Sequence, residues 1–387
     1  MRPMRFPVFL FAACLTTLPA QSQDVLTPVI AAPLVSTTAA VVGTDGKQHL
    51  VYELVITNTG TATATLETIE VVGADDPAKV LAKFDGEGLL SRLRDAGRGP
   101  KITAAQIEFS GTRLFLVDFT LEKGSHVPAT LLHRFHVMGG GPPGSPPDQA
   151  VEQSYTIAPI AVGTDVTVLG PPLEGKGWTA MNGCCQAGGV HRGTELSVNG
   201  QIHYAQRFAI DWLQLNSDNR FSRGDEKDVK SYAYYGAKVI AVADGVVVET
   251  LSTLDDQVPG QLPDPKTLTM ENVDGNHVVM DLGHNKYAFY AHLQKGSVLV
   301  KKGDHVTRGQ MIALLGNTGN TSAPHLHFHL MDGPSVLGSS GLPYVIDSFA
   351  VAGELSGEVE GKLNKDFSAH PSVRKLEFPL DLTVVNF

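Results

Sequence analysis

The stretch SAPHLHFHL, Ser322 to Leu330, puts histidine at 325, 327 and 329 with Leu326 and Phe328 between them. Successive side chains of a β-strand point to opposite faces, so the three imidazoles share one face and the two apolar residues the other. Leu326 and Phe328 face a core. The opposite face carries groups that titrate near pH 6.5 and bind metals. A polar strand face that happens to be rich in histidine is the plain reading. A metal site is the sharper one, and it needs ligands from elsewhere in the chain.

The surrounding composition fits a fold that is mainly β. Forty glycines and 23 prolines in 387 residues favour many turns over long helices. The net charge of −10 and the lack of a basic block argue against a nucleic-acid surface. The N-terminus, MRPMRFPVFLFAACLTTLPAQSQD, reads as a secretory signal peptide over residues 1–22. Arg2 and Arg5 precede an apolar run, and Ala20 and Ser22 offer a cleavage site. A lipoprotein anchor at Cys14 ranks second, because the apolar run before it is short. No later run is long and apolar enough for a transmembrane segment. The expectation is therefore an exported protein, periplasmic or extracellular. Cys184 and Cys185 are adjacent and cannot staple distant segments; a vicinal disulfide, free thiols and pairing between chains all remain open.

Three regions follow the leader. Residues 25–165 read as short strands and turns, as in HLVYELVITNTG, where Val51, Glu53 and Val55 alternate with Tyr52, Leu54 and Ile56. That spacing predicts a β-sandwich-like accessory domain. A short helix is expected over Pro77–Asp95, and GGGPPGSPPD (139–148) reads as a flexible loop or linker tip. Residues 170–335 predict a compact antiparallel β domain, with a hairpin turning at Gly283–Asn285 and two surface insertions at 217–231 and 255–275. Residues 336–387 form a C-terminal extension with apolar strands and no evident task.

Ligand candidates outside the opening stretch are few. His191 follows Gly188–Val190. Asp211 closes the apolar run Phe208–Ile210 beside Trp212, where a carboxylate is costly to bury unless it is paired or bound to a metal. His292 follows an aromatic strand in YAHL. His277, His284 and His305 read as solvated residues of turns and strand edges. Asn317 and Asn320 read as structural residues of the loop that presents the histidine strand.

In order, Gly188–Trp212, AVADGVV, YAHL, GD.V..GQ.I...GNTG and PHLHF resemble the lysostaphin/LytM-type zinc metallopeptidases over about residues 170–332. The resemblance implies an antiparallel-β metallopeptidase domain that hydrolyses peptide bonds by metal-activated water, with peptidoglycan cross-links the leading substrate and other peptides a possibility. It implies one Zn2+ held by His191, Asp211 and His327, with His292 and His325 as the flanking catalytic histidines. His329 stands where that family usually has an acidic residue, and is read as a polar strand residue in preference to one that orients a ligand. The spacing departs from the family: its first histidine and aspartate lie four apart, whereas His191 and Asp211 lie twenty apart (191 to 211). A hairpin turning at Val198–Gly200 would keep them adjacent in space. Glu195 has the usual spacing from His191, but it opens that hairpin, where a solvated charge is unremarkable, so Asp211 is preferred. His203 is a weak substitute for His191. The alternative function is a catalytically silent module of the same fold, such as an activator of a cell-wall amidase.

Overall fold

Alternation in Lys47–Asn58 buries Leu50, Tyr52, Leu54 and Ile56 on one face. This strand pairs with Val29–Pro33 and Thr112–Glu122, and Leu93–Asp95 completes the row. Facing it is a second sheet in the order Thr37–Ala39, Ala150–Gly163, Thr130–Gly140, Ala64–Gly73 and Val80–Asp85. Between the two sheets lies one apolar core that includes Phe115, Phe135 and Ile69. The structure is a computed structural model and describes residues 24–96, 102–140, 150–359 and 362–387. The expected signal peptide, Cys14 and most of the Gly/Pro loop lie outside the described residues.

The helix expected over Pro77–Asp95 is confined to Gly86–Leu90, and Val80–Asp85 is a strand. Phe84 pairs opposite Ile69 and Ala82 opposite Val71, so the apolar residues before Gly86 alternate as in a strand. Gly86 has φ +47°, outside the right-handed helix, and it separates the two elements.

The second half of the chain is built on one long sheet. Its main strands are β1 (Trp178–Met181), β2 (Ile210–Gln214), β3 (Gly245–Leu251), β4 (Asn276–Asp281), β5 (Tyr287–Leu293), β6 (His305–Val306), β7 (Leu326–Met331), β8 (Phe349–Val359), β9 (Lys362–Arg374) and β10 (Thr383–Asn386), with Gly341–Leu342 paired to the end of β7. The order across the sheet is β6-β3-β4-β5-β7-β2-β1-β10-β8-β9. The C-terminal strands β8–β10 thus continue the sheet that holds the histidine strand. One face of the sheet covers a core that includes Trp178, Trp212, Tyr290 and Phe328. The β4–β5 hairpin turns at Gly283, His284 and Asn285, all with positive φ. Cys184 and Cys185 form a disulfide across a cis peptide bond. No described helix is long and apolar enough to cross a membrane.

Several contacts join the halves, among them an apolar cluster and a buried ion-pair group. Leu114 and Leu116 of the sandwich pack against Ala187 and Tyr204. Glu53, fully buried, forms ion pairs with Arg192 and Arg207.

Candidate metal centre and its flanking histidines

Register assembles the site. β2 and β7 are antiparallel neighbours with Asp211 opposite His327, and β5 lies on the other side of β7 with Ala291 opposite His327. Asp211 and His327 therefore share a face, and His292, one residue past Ala291, turns toward it with φ +59°. That left-handed conformation is unusual for a side chain other than glycine. Here it is held from both sides: the His292 N–H donates to the Asp274 carbonyl and its Nδ1 to the Thr318 carbonyl, 2.7 Å away. Thr318 comes this near because Gly275 (φ +70°) lacks a Cβ, which would sit 2.2 Å from the Thr318 oxygen. His191 sits in the short 3-10 turn Val190–Gly193, and the Leu196–Val198/Gln201–His203 hairpin takes up the chain between it and Asp211.

Each ring has one nitrogen tied down. Nδ1 of His191 donates to the Ala209 carbonyl (3.1 Å), and Nδ1 of His325 to the Ala323 carbonyl (2.9 Å). With Nδ1 of His292 likewise engaged, all three present Nε2. His327 is held the other way round, its Nε2 lying 2.9 Å from Nδ1 of His329, so it presents Nδ1. The free nitrogens gather round one carboxylate: Asp211 lies 2.9 Å from His327 Nδ1, 3.3 Å from His191 Nε2 and 3.4 Å from His325 Nε2. Ligand atoms of His191, Asp211 and His327 lie within 4.8 Å of one another, and those of His292, His325 and His327 form a second such group. The structure thus brings together all five residues singled out in the sequence.

Charge follows from this crowding. Burial disfavours the Asp211 carboxylate, but the His191 and His325 rings outweigh it and hold its pKa well below the usual carboxylate range. Burial also opposes protonation of His191 and His325, yet Asp211 raises both. Burial wins at His292 and His329, which are pushed well below the usual histidine value, and at His327, which falls to about 4. The Asp211 carboxylate thus favours positive charge on the His191 and His325 rings, and it offers the same attraction to a divalent ion.

Several expectations need correction. Asp211 is the second residue of its strand and does not close an apolar one, because Ala205–Phe208 form a turn before it. Glu195 is buried, not solvated, but it belongs to neither ligand group among the described residues. His203 is half-buried in its hairpin arm and likewise outside both. His329 is a buried ring bonded to His327, which the simple polar-strand reading did not allow. His277 is buried as well, with Nδ1 on the Gly275 carbonyl and its ring tilted against Phe289. Asn317 does brace its loop, donating to the Gln257 carbonyl and accepting from Thr321 Oγ1. Asn182, which sequence reasoning missed, donates to Asp211 Oδ2 at 2.7 Å. It stands one residue beyond Met181, the register partner of Asp211, and no spacing in the sequence marks it. A cavity of about 900 Å3 opens beside Asn182 and the Cys184–Cys185 pair, but none of the five site residues lines it.

The model of peptidase family M23 matches residues 226–337. This stretch is a peptidase family M23 domain. The match starts downstream of His191 and Asp211 and includes His292, His325 and His327. A 57-residue segment is 51% identical to the peptidoglycan DD-endopeptidase ShyA of Vibrio cholerae, covering 15% of this chain and 13% of that protein. A 93-residue segment is 36% identical to an uncharacterized metalloprotease of Haemophilus influenzae, covering 24% of this chain and 16% of the relative. This chain therefore spans less than a fifth of the length of the curated relatives it matches. Among solved structures, the catalytic domain of lysostaphin from Staphylococcus simulans has 22% identity over 43% of this chain and 88% of that one, with a TM-score of 0.23. A zinc-containing peptidase from Vibrio cholerae has 16% identity over 77% of this chain and 83% of that one, with a TM-score of 0.25.

Proposed function

We propose that the protein is an exported zinc metalloendopeptidase that hydrolyses peptide bonds, with peptidoglycan cross-links its leading substrate. One observation carries this reading: His191 Nε2, Asp211 and His327 Nδ1 converge within 4.8 Å, each ring fixed by a bond at its other nitrogen. Two imidazoles and a carboxylate are a donor set that suits catalytic zinc and leaves room for water or substrate. Zinc held there would act as a Lewis acid, activating water and polarising the scissile carbonyl. His292 and His325 supply the proton chemistry. Their rings lie 4.6 Å apart, and each offers Nε2 because Nδ1 is engaged. One neutral ring accepts a proton from water; the other, protonated, stabilises the oxyanion or delivers a proton to the departing amine. Export rests on the leader-like N-terminus, and the cell-wall substrate on the named DD-endopeptidase relatives.

The test is digestion of purified cell-wall sacculi by the zinc-loaded protein, with mass analysis of the released fragments and a His325→Ala control. Fragments cut at peptide cross-links, absent from the control, support the proposal. A protein that binds no zinc sinks it. The silent-module reading is favoured by Asn182, which donates to the same carboxylate that zinc would need. Stoichiometric zinc with intact sacculi would establish that reading.

A further inference from the structure

The sheet face that carries the site bears a second group of ionisable side chains. His277 on β4 lies against Phe289, with ring centroids 5.7 Å apart, and Phe289 in turn lies 6.1 Å from His327. Glu249 on β3 reaches His277, Oε1 to Nε2 3.4 Å. The loop entering β4 adds Glu271 and Asp274, and the loop after β7 lays Val336 and Leu337 over them. The cavity so formed measures about 170 Å3. At about 30 Å3 per molecule it would hold roughly six waters.

Asp274 is the residue that asks for a ligand. It lines the cavity at 8% exposure, and no hydrogen-bond donor among the described residues reaches its carboxylate; the one charge acting on it is the His277 ring. A carboxylate buried in this way is costly until a cation meets it. A bare metal ion is a poor candidate. Among the described residues, the ligand groups lying within 4.8 Å of one another are both at the histidine site. Carboxylates spread further apart suit an ammonium with three donors, and the apolar walls from Met270, Val336 and Leu337 suit a methylene stem.

The position is that of a substrate subsite. β7, β5, β4 and β3 are successive neighbours, so His277 and Glu249 lie two and three strands from His327. At about 4.8 Å per strand this is roughly 10–14 Å, or three to four residues of extended peptide.

We propose that this cavity binds an ammonium-bearing side chain of the peptide substrate, three to four residues from the bond cut, between Asp274, Glu249 and Glu271. The proposal rests on the peptidase reading for its substrate, but occupancy can be measured without cleavage. The zinc-loaded full chain is titrated calorimetrically at low salt with the capped peptide Ala-Lys-Ala-Ala and with its Nε-acetylated twin. The lysine peptide is expected to bind about 10- to 100-fold more tightly, the worth of a charge-assisted hydrogen bond. Asp274→Asn and Glu249→Gln should each erase most of that preference without changing zinc content. Equal affinity of the two peptides for the wild type, no measurable binding of either, or a preference that survives both substitutions overturns the proposal. Should Asp274→Asn fail to fold, Glu249→Gln, whose side chain is half exposed, decides. In parallel, native and N-acetylated sacculi are digested. Equal cleavage of both removes the subsite and leaves the peptidase reading standing. No cleavage of either, with lysine selectivity in the titration intact, removes the peptidase reading and leaves the subsite.

Discussion

Glu53→Gln should both destabilise the protein and weaken its hold on zinc. Glu53 is fully buried on the Lys47–Asn58 strand, its oxygens 3.0 and 3.1 Å from Arg207 Nε and 3.0 Å from Arg192 Nη2. Both guanidinium groups are themselves almost wholly buried. The glutamine has the same shape but carries no charge, so two buried cations lose the carboxylate between them. Breaking a buried pair in this manner costs about 3–5 kcal/mol. Set against a total stability of about 5–15 kcal/mol, that is a large fraction. At about 2 °C per kcal/mol for a large domain, the thermal midpoint should fall by roughly 6–10 °C. The effect extends to the site because Arg192 adjoins His191, and Arg207 lies in the turn just before Ala209, whose carbonyl holds His191 Nδ1. Loosening a ligand's supports typically weakens metal affinity by about 10- to 100-fold. Thermal unfolding and zinc competition against a chelator measure the two effects. Replacing all three residues by methionine should return stability to near wild type, because a buried charge cluster gains little over apolar packing. If Glu53→Gln melts within a degree of wild type and binds zinc as tightly, the claim that this cluster braces the first ligand is wrong.

Asp211→Asn should abolish zinc binding in a chelator competition while Glu195→Gln retains it; the opposite pattern would move the carboxylate ligand to the other position. His329→Ala should weaken zinc by about 10- to 100-fold through the freed His327 ring, and His329→Glu, an acceptor of the type the family carries, should restore most of it. Unchanged affinity in the alanine variant would make His329 a packing residue. Acid should destabilise the sandwich through His133. Burial pushes this ring down to about 4, and it is wedged between the Tyr52 hydroxyl and the Ala158 carbonyl. An unfolded histidine titrates near 6.5, so between about pH 6.5 and 4 the unfolded chain holds the extra proton and native stability falls as pH falls. The slope approaches about 1.4 kcal/mol per pH unit in that window and vanishes below it. Denaturant titrations at pH 7, 5 and 4 should show a shallower loss in His133→Gln than in wild type; parallel losses would exclude this ring as the cause.

The sequence made the strands legible wherever one face was buried. Lys47–Asn58 and Leu326–Met331 read correctly because alternation is a local signal that the sheet does not change. It misled where a residue's surroundings come from distant chain. Glu53 alternates as a polar residue should, yet it is buried because Arg192 and Arg207 arrive from the other half of the molecule. His277 and Glu195 looked solvated for the same reason: nothing local announces the residues that cover them. Asn182 was invisible because its link to Asp211 is a matter of register between β1 and β2.

That dependence on distant chain bears on the twenty-residue gap between His191 and Asp211. Where the two ligands lie four apart, a short connection limits how far they can separate. Here a hairpin intervenes, and the geometry between them must be fixed from outside it. The described contacts that do so come from three directions: Ala209 on His191, Asn182 on Asp211, and Glu53 of the sandwich on the arginines that flank the hairpin. All three of these supports lie outside residues 226–337, as do both candidate ligands. It follows that the M23 domain cut at those limits lacks two of the three proposed ligands, and that a chain starting at Gly170 should retain His191 and Asp211 but hold zinc more weakly than the full protein, by about the factor expected for Glu53→Gln. Zinc affinity equal to that of the full chain in the fragment starting at Gly170 would show that the hairpin and the sheet suffice, and that the sandwich has some other task.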